Sequence, residues 1–333
     1  MSFWSSATGP TLWQVAASFW STRPPERLQG GDVPQTPFIP QAATTAQIQE
    51  ILTFWQQNFK SGHGPRIGYT AEQLNTIVAD PTYDTLIVVA EGRIVGTVMA
   101  RPLGSWTRVG CQGADFQTSW IDMFCVDAAW RQRGVGRSLL FGIYEVLKRR
   151  GRETAVFLKE GMPLRLPPIC TSFYTWRRVR PEEVSRSVSE WTRAELDEWI
   201  KPLHLKNVIY NSAIGSEFST AAATQSLIVA YAAQSAWVVA AFTSAHQLHP
   251  EDGQPLVWMT GCLADGPVGP QEKKEAMLQL STAAARHFAT HWIWVDGFHA
   301  HPDEHWTRDG LYHIYAFNWN PGVFINGNPF IIF

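Results

Sequence analysis

The chain has 333 residues, 45% of them apolar and 17% charged, with a formal net charge of −2. Length and apolar content suffice for one large core or two of ordinary size. A balance this close to neutral argues against nucleic acid or an anionic membrane surface as a partner. No apolar run reaches the length of a transmembrane helix. Met1-Ser2-Phe3-Trp4 lacks the basic start and apolar core of a secretory signal, so a cytoplasmic protein is expected. The four cysteines, Cys111, Cys125, Cys170 and Cys262, are scattered and lie mostly in strand-like contexts. They read as free thiols of a reducing compartment, neither a disulfide frame nor a zinc site. Sixteen tryptophans serve either as bulky core or as walls for a long apolar ligand.

Residues 1–45 are rich in Pro, Gly, Gln and Thr and read as an extended arm. A helix is expected over 45–58, where Ile48, Ile51, Leu52 and Trp55 share a face, and a second starts near Thr70 (Leu74, Ile77, Val78). Residues 86–90 and 94–100 form a hairpin across Glu91-Gly92-Arg93. An apolar strand at 121–126 then runs through a glycine-containing loop into a helix. Leu139, Leu140, Ile143, Val146 and Leu147 recur there at helical spacing, and Lys148-Arg149-Arg150-Gly151 marks the stop. A strand at 155–158 completes a unit of hairpin, strand, helix, strand. That order recurs: a hairpin at 226–231 and 236–243, a strand at 256–262, a helix at 271–290 and a strand at 292–295. The run Pro181-Glu182-Glu183-Val184-Ser185-Arg186 and its continuation to Arg193 reads as a charged interdomain surface.

The loop between strand and helix, Arg131-Gln132-Arg133-Gly134-Val135-Gly136-Arg137, carries the chemistry. Backbone N–H groups aimed outward and the positive end of the helix dipole suit a pyrophosphate, and Arg131, Arg133 and Arg137 add cations. The third glycine of a dinucleotide fingerprint and the Gly-Lys-Ser/Thr of a P-loop are both missing. The arrangement Arg-x-x-Gly-x-Gly after a strand resembles the acyl-CoA loop of the GNAT acetyltransferase superfamily. In the second copy the equivalent turn, Ala264 to Pro270, holds no arginine, and its prolines remove donors. Only the first copy is thus equipped for CoA.

Further segments resemble N-myristoyltransferases within that superfamily. They are Met123-Phe124-Cys125-Val126 ahead of the loop; Leu166-Pro167-Pro168 followed by Tyr174 and Arg177; Phe19-Trp20 followed by Pro24; Asp309-Gly310 followed by Asn318-Trp319; and the apolar ending Phe330-Ile331-Ile332-Phe333. The resemblance implies an α/β (α+β) fold of two GNAT-like acyl-CoA N-acyltransferase units packed around a continuous saddle-shaped mixed β-sheet. It divides the chain into an arm covering CoA (1–45), a myristoyl-CoA-binding half (46–185) and a peptide-binding half ending in the catalytic C-terminus (186–333). The implied reaction moves myristate from myristoyl-CoA, a co-substrate and no permanent cofactor, to the α-amine of an N-terminal glycine of peptides or proteins. A monomer without nucleic-acid partners is expected.

The same resemblance implies the roles. The C-terminal carboxylate of Phe333 is the base, and the backbone N–H groups of Met123 and Phe124 form the oxyanion hole. CoA lies against Ser18, Phe19, Trp20, Cys125, Val126 and Arg131 through Arg137. The peptide meets Tyr69, Tyr174, Asp309 and Gly310. Where the family has an acidic loop for a basic residue of the peptide, this chain has Lys60-Ser61-Gly62-His63-Gly64, without a carboxylate. His299, His301, Asp303 and His305 suit a metal by composition, but they lie in a Pro-containing loop, and no metal is expected. Two other readings stay open: a tandem GNAT acetyltransferase acting from acetyl-CoA on an amine, and a non-catalytic acyl-CoA or lipopeptide-binding protein.

Overall fold

The computed structural model describes residues 26–27, 36–59, 65–107, 117–152, 154–164, 168, 170–180, 187–200, 208–209, 226–296, 307–317, 319–320 and 330–331. Helix α1 (Ile48–Asn58) buries Ile51 and Trp55 completely, as its apolar spacing requires. Helix α2 (Ala71–Ala79) opens on a reciprocal cap: Gln73 N donates to Thr70 Oγ1 (3.1 Å) and Thr70 N donates to Gln73 Oε1 (3.0 Å). Strands β1 (Asp84–Ala90) and β2 (Arg93–Thr107) meet at Glu91 and Gly92, whose φ values of 52° and 74° make the mirror-image turn that matches strand twist. Strand β3 (Gln117–Val126), helix α3 (Val135–Arg149) and strand β4 (Thr154–Glu160) complete the first unit.

The second unit repeats the order. After β5 (Cys170–Arg178), β6 (Val188–Trp191) and α4 (Arg193–Ile200) come β7 (Ser226–Ala232), β8 (Trp237–Leu248), β9 (Pro255–Ala264), α5 (Pro270–His287) and β10 (Trp292–Asp296). Strand β11 (Thr307–Phe317) follows. In both units three strands pair antiparallel and the strand after the helix pairs parallel, β3 with β4 and β9 with β10.

A strand exchange welds the units together. Strand β5, which follows β4 in the chain, pairs with β10 of the second unit; β11, which follows β10, pairs with β4 of the first; and β5 and β11 pair with each other. Among the described residues one mixed sheet of fifteen strands results, short ones included. Aromatic side chains fill its centre: Trp120, Tyr174, Trp176, Trp258, Trp294 and Tyr312 pack in one buried cluster. Among the described residues no helix is long and apolar enough to cross a membrane.

Of the charged stretch expected as an interdomain surface, 181–186 lie outside the described residues and 187–193 are described. Val188–Trp191 pairs with β7, and Thr192 caps α4 by exchanging hydrogen bonds with Glu195.

Candidate active site

The helix-opening loop is built on left-handed backbone. Gln132 (φ 61°) and Gly134 (φ 93°) turn the chain sharply into α3. A Cβ at Gly134 would lie 2.6 Å from Pro37 Cγ, so that position accepts no side chain. Within the described residues the N–H groups of Gln132 to Arg137 make no hydrogen bond, as expected of a nest and first helical turn. Arg131 Nε donates to Val126 O (3.3 Å), Arg133 lies over the Trp130 ring and Arg137 over Phe141. The loop is a ready seat for a polyanion.

The counterpart in the second unit is closed by its own carboxylates. Asp265 accepts from Trp237 N (2.7 Å) and Trp199 Nε1 (2.8 Å), and Glu272 at the start of α5 accepts from Gln234 N (2.6 Å). Negative charge already fills the position that an anion would need.

Beyond the loop the sheet splits. Parallel pairing of β3 with β4 runs from Thr118↔Thr154 to Ile121↔Phe157 and stops, while both strands continue. At the split β3 bulges: between the pairs Thr97↔Cys125 and Met99↔Asp122, both Met123 and Phe124 face Val98 alone. Met123 sits at φ 49°. A buried chain of hydrogen bonds clamps it, Trp55 Nε1 donating to Thr97 Oγ1 (2.9 Å), which donates to Met123 O (2.9 Å). Met123 N–H turns onto Asp122 Oδ1 (2.8 Å), and the other Asp122 oxygen meets Arg101 at 3.4 Å. Of the two donors expected for an oxyanion hole, one is thus held by a neighbouring carboxylate. Among the described residues Phe124 has no strand partner on either side, and it is 41% exposed.

A cavity of about 910 Å³ passes through the sheet at this split. On one face it is lined by the loop (Arg131, Gln132, Gly136) and by Leu140, Ile143 and Tyr144 of α3; on the other, by Trp120, Trp258, Trp294, Tyr312, Asp122 and His246. Cys125 and Val126 line it too. The Cys125 thiol is buried and burial pushes it up to about 11, which suits a packing residue and not a nucleophile.

Tyr69 stacks, with ring centroids 4.2 Å apart, on His246, which lines this cavity while Tyr69 itself does not. Burial raises its hydroxyl well above the usual phenol range. Tyr174 stands behind the chamber, buried against Trp294 at 4.6 Å. Asp309 is the extra residue of a bulge in β11, beside the pair Gly310↔Tyr174. Ser18, Phe19, Trp20, Phe333, the stretch 60–64 and the histidines at 299–305 lie outside the described residues.

Asp122, Arg101, His246 and Gln247 were not foreseen from sequence. The strand expected to end at 243 continues to Leu248, and no glycine marks its bend. His246, at φ 50°, has its imidazole pushed down to about 3 by burial and then by the Arg101 cation. Below the ordinary histidine pKa the unfolded chain takes up a proton that the folded one refuses. His246 is therefore expected to make stability fall as pH drops from about 6.5 towards 3, by up to about 1.4 kcal/mol per pH unit, and not above that window. Urea titrations of wild type and His246→Phe between pH 4 and 8 check this: the variant should lose part of the acid slope. An unchanged slope would remove His246 from the account of acid stability.

Residues 48–165 match the model of the acetyltransferase (GNAT) family, a span that includes the loop, the split and the β3 bulge. Over about 90% of the chain the fold is similar to that of N-myristoyltransferase. The Saccharomyces cerevisiae enzyme with bound myristoyl-CoA superposes at a TM-score of 0.61 and 14% identity, covering 90% of this chain and 83% of that one. A second complex of it with myristoyl-CoA gives 0.61 and 14%, covering 92% and 89%. One that also holds inhibitors gives 0.60 and 13%, covering 90% and 84%. No curated protein matches the chain.

Proposed function

We propose that this chain transfers a long acyl group, myristate, from its CoA thioester to the α-amine of an N-terminal glycine. The observation that carries this reading is the cavity through the split sheet, which joins an anion seat on one face to an aromatic chamber on the other. CoA phosphates lie on the N–H groups of Gln132 to Arg137, and pantetheine runs along the unpaired edge of β3 at Cys125 and Val126. The thioester carbonyl then falls at the Met123–Phe124 bulge, and the acyl chain enters among Trp120, Trp258, Trp294 and Tyr312. Ser18, Phe19 and Trp20 of the arm belong to the CoA side of the same proposal, Tyr69, Tyr174, Asp309 and Gly310 to the acceptor side.

The amine nitrogen attacks the carbonyl carbon, and the C–O electrons collect on an oxyanion facing the Phe124 N–H. A donor of that kind is worth about 3 to 4 kcal/mol of barrier. Collapse expels the CoA thiolate, forms the amide and releases one proton from nitrogen. The base proposed for it is the carboxylate of Phe333. The pairing of Phe330–Ile331 with Val208–Ile209, itself paired to Trp106 and Thr107 of β2, supports an approach of that segment to the first unit.

The family-model match favours the acetyl-CoA reading as the alternative, since the model describes acetyltransferases. The test is thiol release from myristoyl-CoA in the presence of a peptide beginning Gly-x-x-x-Ser. Release should require the peptide and cease when its α-amine is acetylated. Release at the same rate without peptide would mean hydrolysis, and would overturn the transfer.

A further inference from the structure

Two bulges face the cavity, one from each unit. The one in β8 is the wider: between the pairs Ser244↔Val257 and Leu248↔Pro255, three residues, Ala245, His246 and Gln247, stand opposite Leu256 alone. All three line the cavity. The distortion is held from several sides. Gly68 N donates to His246 O (2.8 Å), His246 N donates to Ser244 Oγ (3.2 Å), Gln247 pairs with Ile67, and the Tyr69 ring lies flat on the imidazole, 11° from parallel. A left-handed histidine restrained this way marks a side chain aimed for a purpose other than pairing.

Among the described residues that side chain's Nδ1 has no hydrogen-bond partner. His246 is 7% exposed, and its Nδ1 is buried without a hydrogen bond among the described residues; so is Oε1 of its neighbour Gln247. Buried polar atoms without partners are rare because each forfeits its bonds to water. Two on consecutive residues of one bulge, in the wall of one cavity, are satisfied together by a ligand that brings donors.

The acceptors on this wall identify the donor. Oε1 of Gln247 and the carboxylate of Asp122 accept only, and the imidazole, which burial and the Arg101 cation keep neutral, offers a lone pair on one nitrogen. Three acceptors suit the N–H groups of a primary amine, and the nearby Arg101 cation is paired with Asp122.

We propose that the β8 bulge is the seat of the acceptor amine: His246 and Gln247 accept its N–H groups and hold the nitrogen across the cavity from the β3 bulge, where the thioester lies. This rests on the N-acyl-transfer reading above and names the part of the second unit that recognises the acceptor. It makes the two bulges complementary, one holding the electrophile and the other the nucleophile.

The test uses His246→Phe, which keeps a ring against Tyr69, Gln247→Leu, which keeps the shape of the chain, and His246→Asn, which returns an acceptor. KM and kcat are measured for a glycine-starting peptide, and Kd for myristoyl-CoA by calorimetry. Each apolar variant should raise the peptide KM about tenfold or more, as expected when a buried polar contact to a ligand is lost. Myristoyl-CoA affinity should stay within about twofold of wild type, and His246→Asn should recover part of the loss; a merely structural role would move neither KM selectively nor the rescue. Folded apolar variants that keep the wild-type peptide KM would overturn the proposal while leaving the acyl transfer intact. Should the wild type acylate a lysine side chain or spermidine instead of the glycine peptide, with the variants raising KM for that amine, the amine seat stands and the glycine reading falls.

Discussion

Thr97→Val is expected to cripple acyl transfer although no atom of Thr97 lines the cavity. Its hydroxyl accepts from Trp55 Nε1 and donates to Met123 O, both at 2.9 Å, in a fully buried site. Valine keeps the volume but leaves an indole N–H and a carbonyl without partners, each worth about 1 to 3 kcal/mol. Stability should drop by about 2 to 6 kcal/mol in denaturant titration. The carbonyl so released is the one that fixes Met123 at φ 49°, and with it the direction of the next N–H. Loss of one oxyanion donor costs about 10²- to 10³-fold in rate. Single-turnover transfer at saturating substrates should fall by that order while myristoyl-CoA still binds, and Thr97→Ser should behave nearly as wild type. A folded Thr97→Val enzyme with the wild-type single-turnover rate would show that the bulge does not carry the oxyanion donor.

The second large effect concerns chain length. Myristate has twelve more carbons than acetate, and each buried CH₂ contributes up to about 0.8 kcal/mol. If only half of them enter the aromatic chamber at full value, the difference is about 5 kcal/mol, a factor of several thousand in affinity. Calorimetry with CoA, acetyl-CoA and myristoyl-CoA should give nearly equal affinities for the first two and a far tighter third. Trp294→Ala, which opens the chamber wall, should weaken the third alone. Equal affinities for all three would confine the acyl group to the split and favour acetyl transfer.

Much of the fold was legible because it is local. The spacing of Ile48, Ile51, Leu52 and Trp55 and the dipeptide Glu91-Gly92 each impose their structure within a few residues. So did the loop after β3, where Gly134 supplies the left-handed turn. Strand β5, which was not expected, carried a signal too, since Cys170, Ser172, Tyr174 and Trp176 alternate as the buried face. The exchange of β5 and β11 between units was hidden, because pairing partners more than a hundred residues apart leave no mark on local periodicity. The bulges were hidden for a different reason. Met123 and His246 take backbone angles that their residue types disfavour, and besides local bonds to Asp122 and Ser244 they are held by the distant Thr97 and Gly68. The loop proposed to hold the phosphates was therefore readable, whereas the residues proposed to hold the reacting atoms emerged from packing.

The most direct test is a competition in one tube. A peptide beginning Gly-x-x-x-Ser is incubated with the enzyme and equal concentrations of acetyl-CoA and myristoyl-CoA, and the product is read by mass spectrometry with fragmentation. A long acyl chain seated through the split sheet and an acceptor amine at the opposite bulge predict a peptide carrying one myristoyl group on its N-terminal nitrogen, with acetylated peptide a trace. Predominant acetylation, or myristate on any other atom of the peptide, would contradict it.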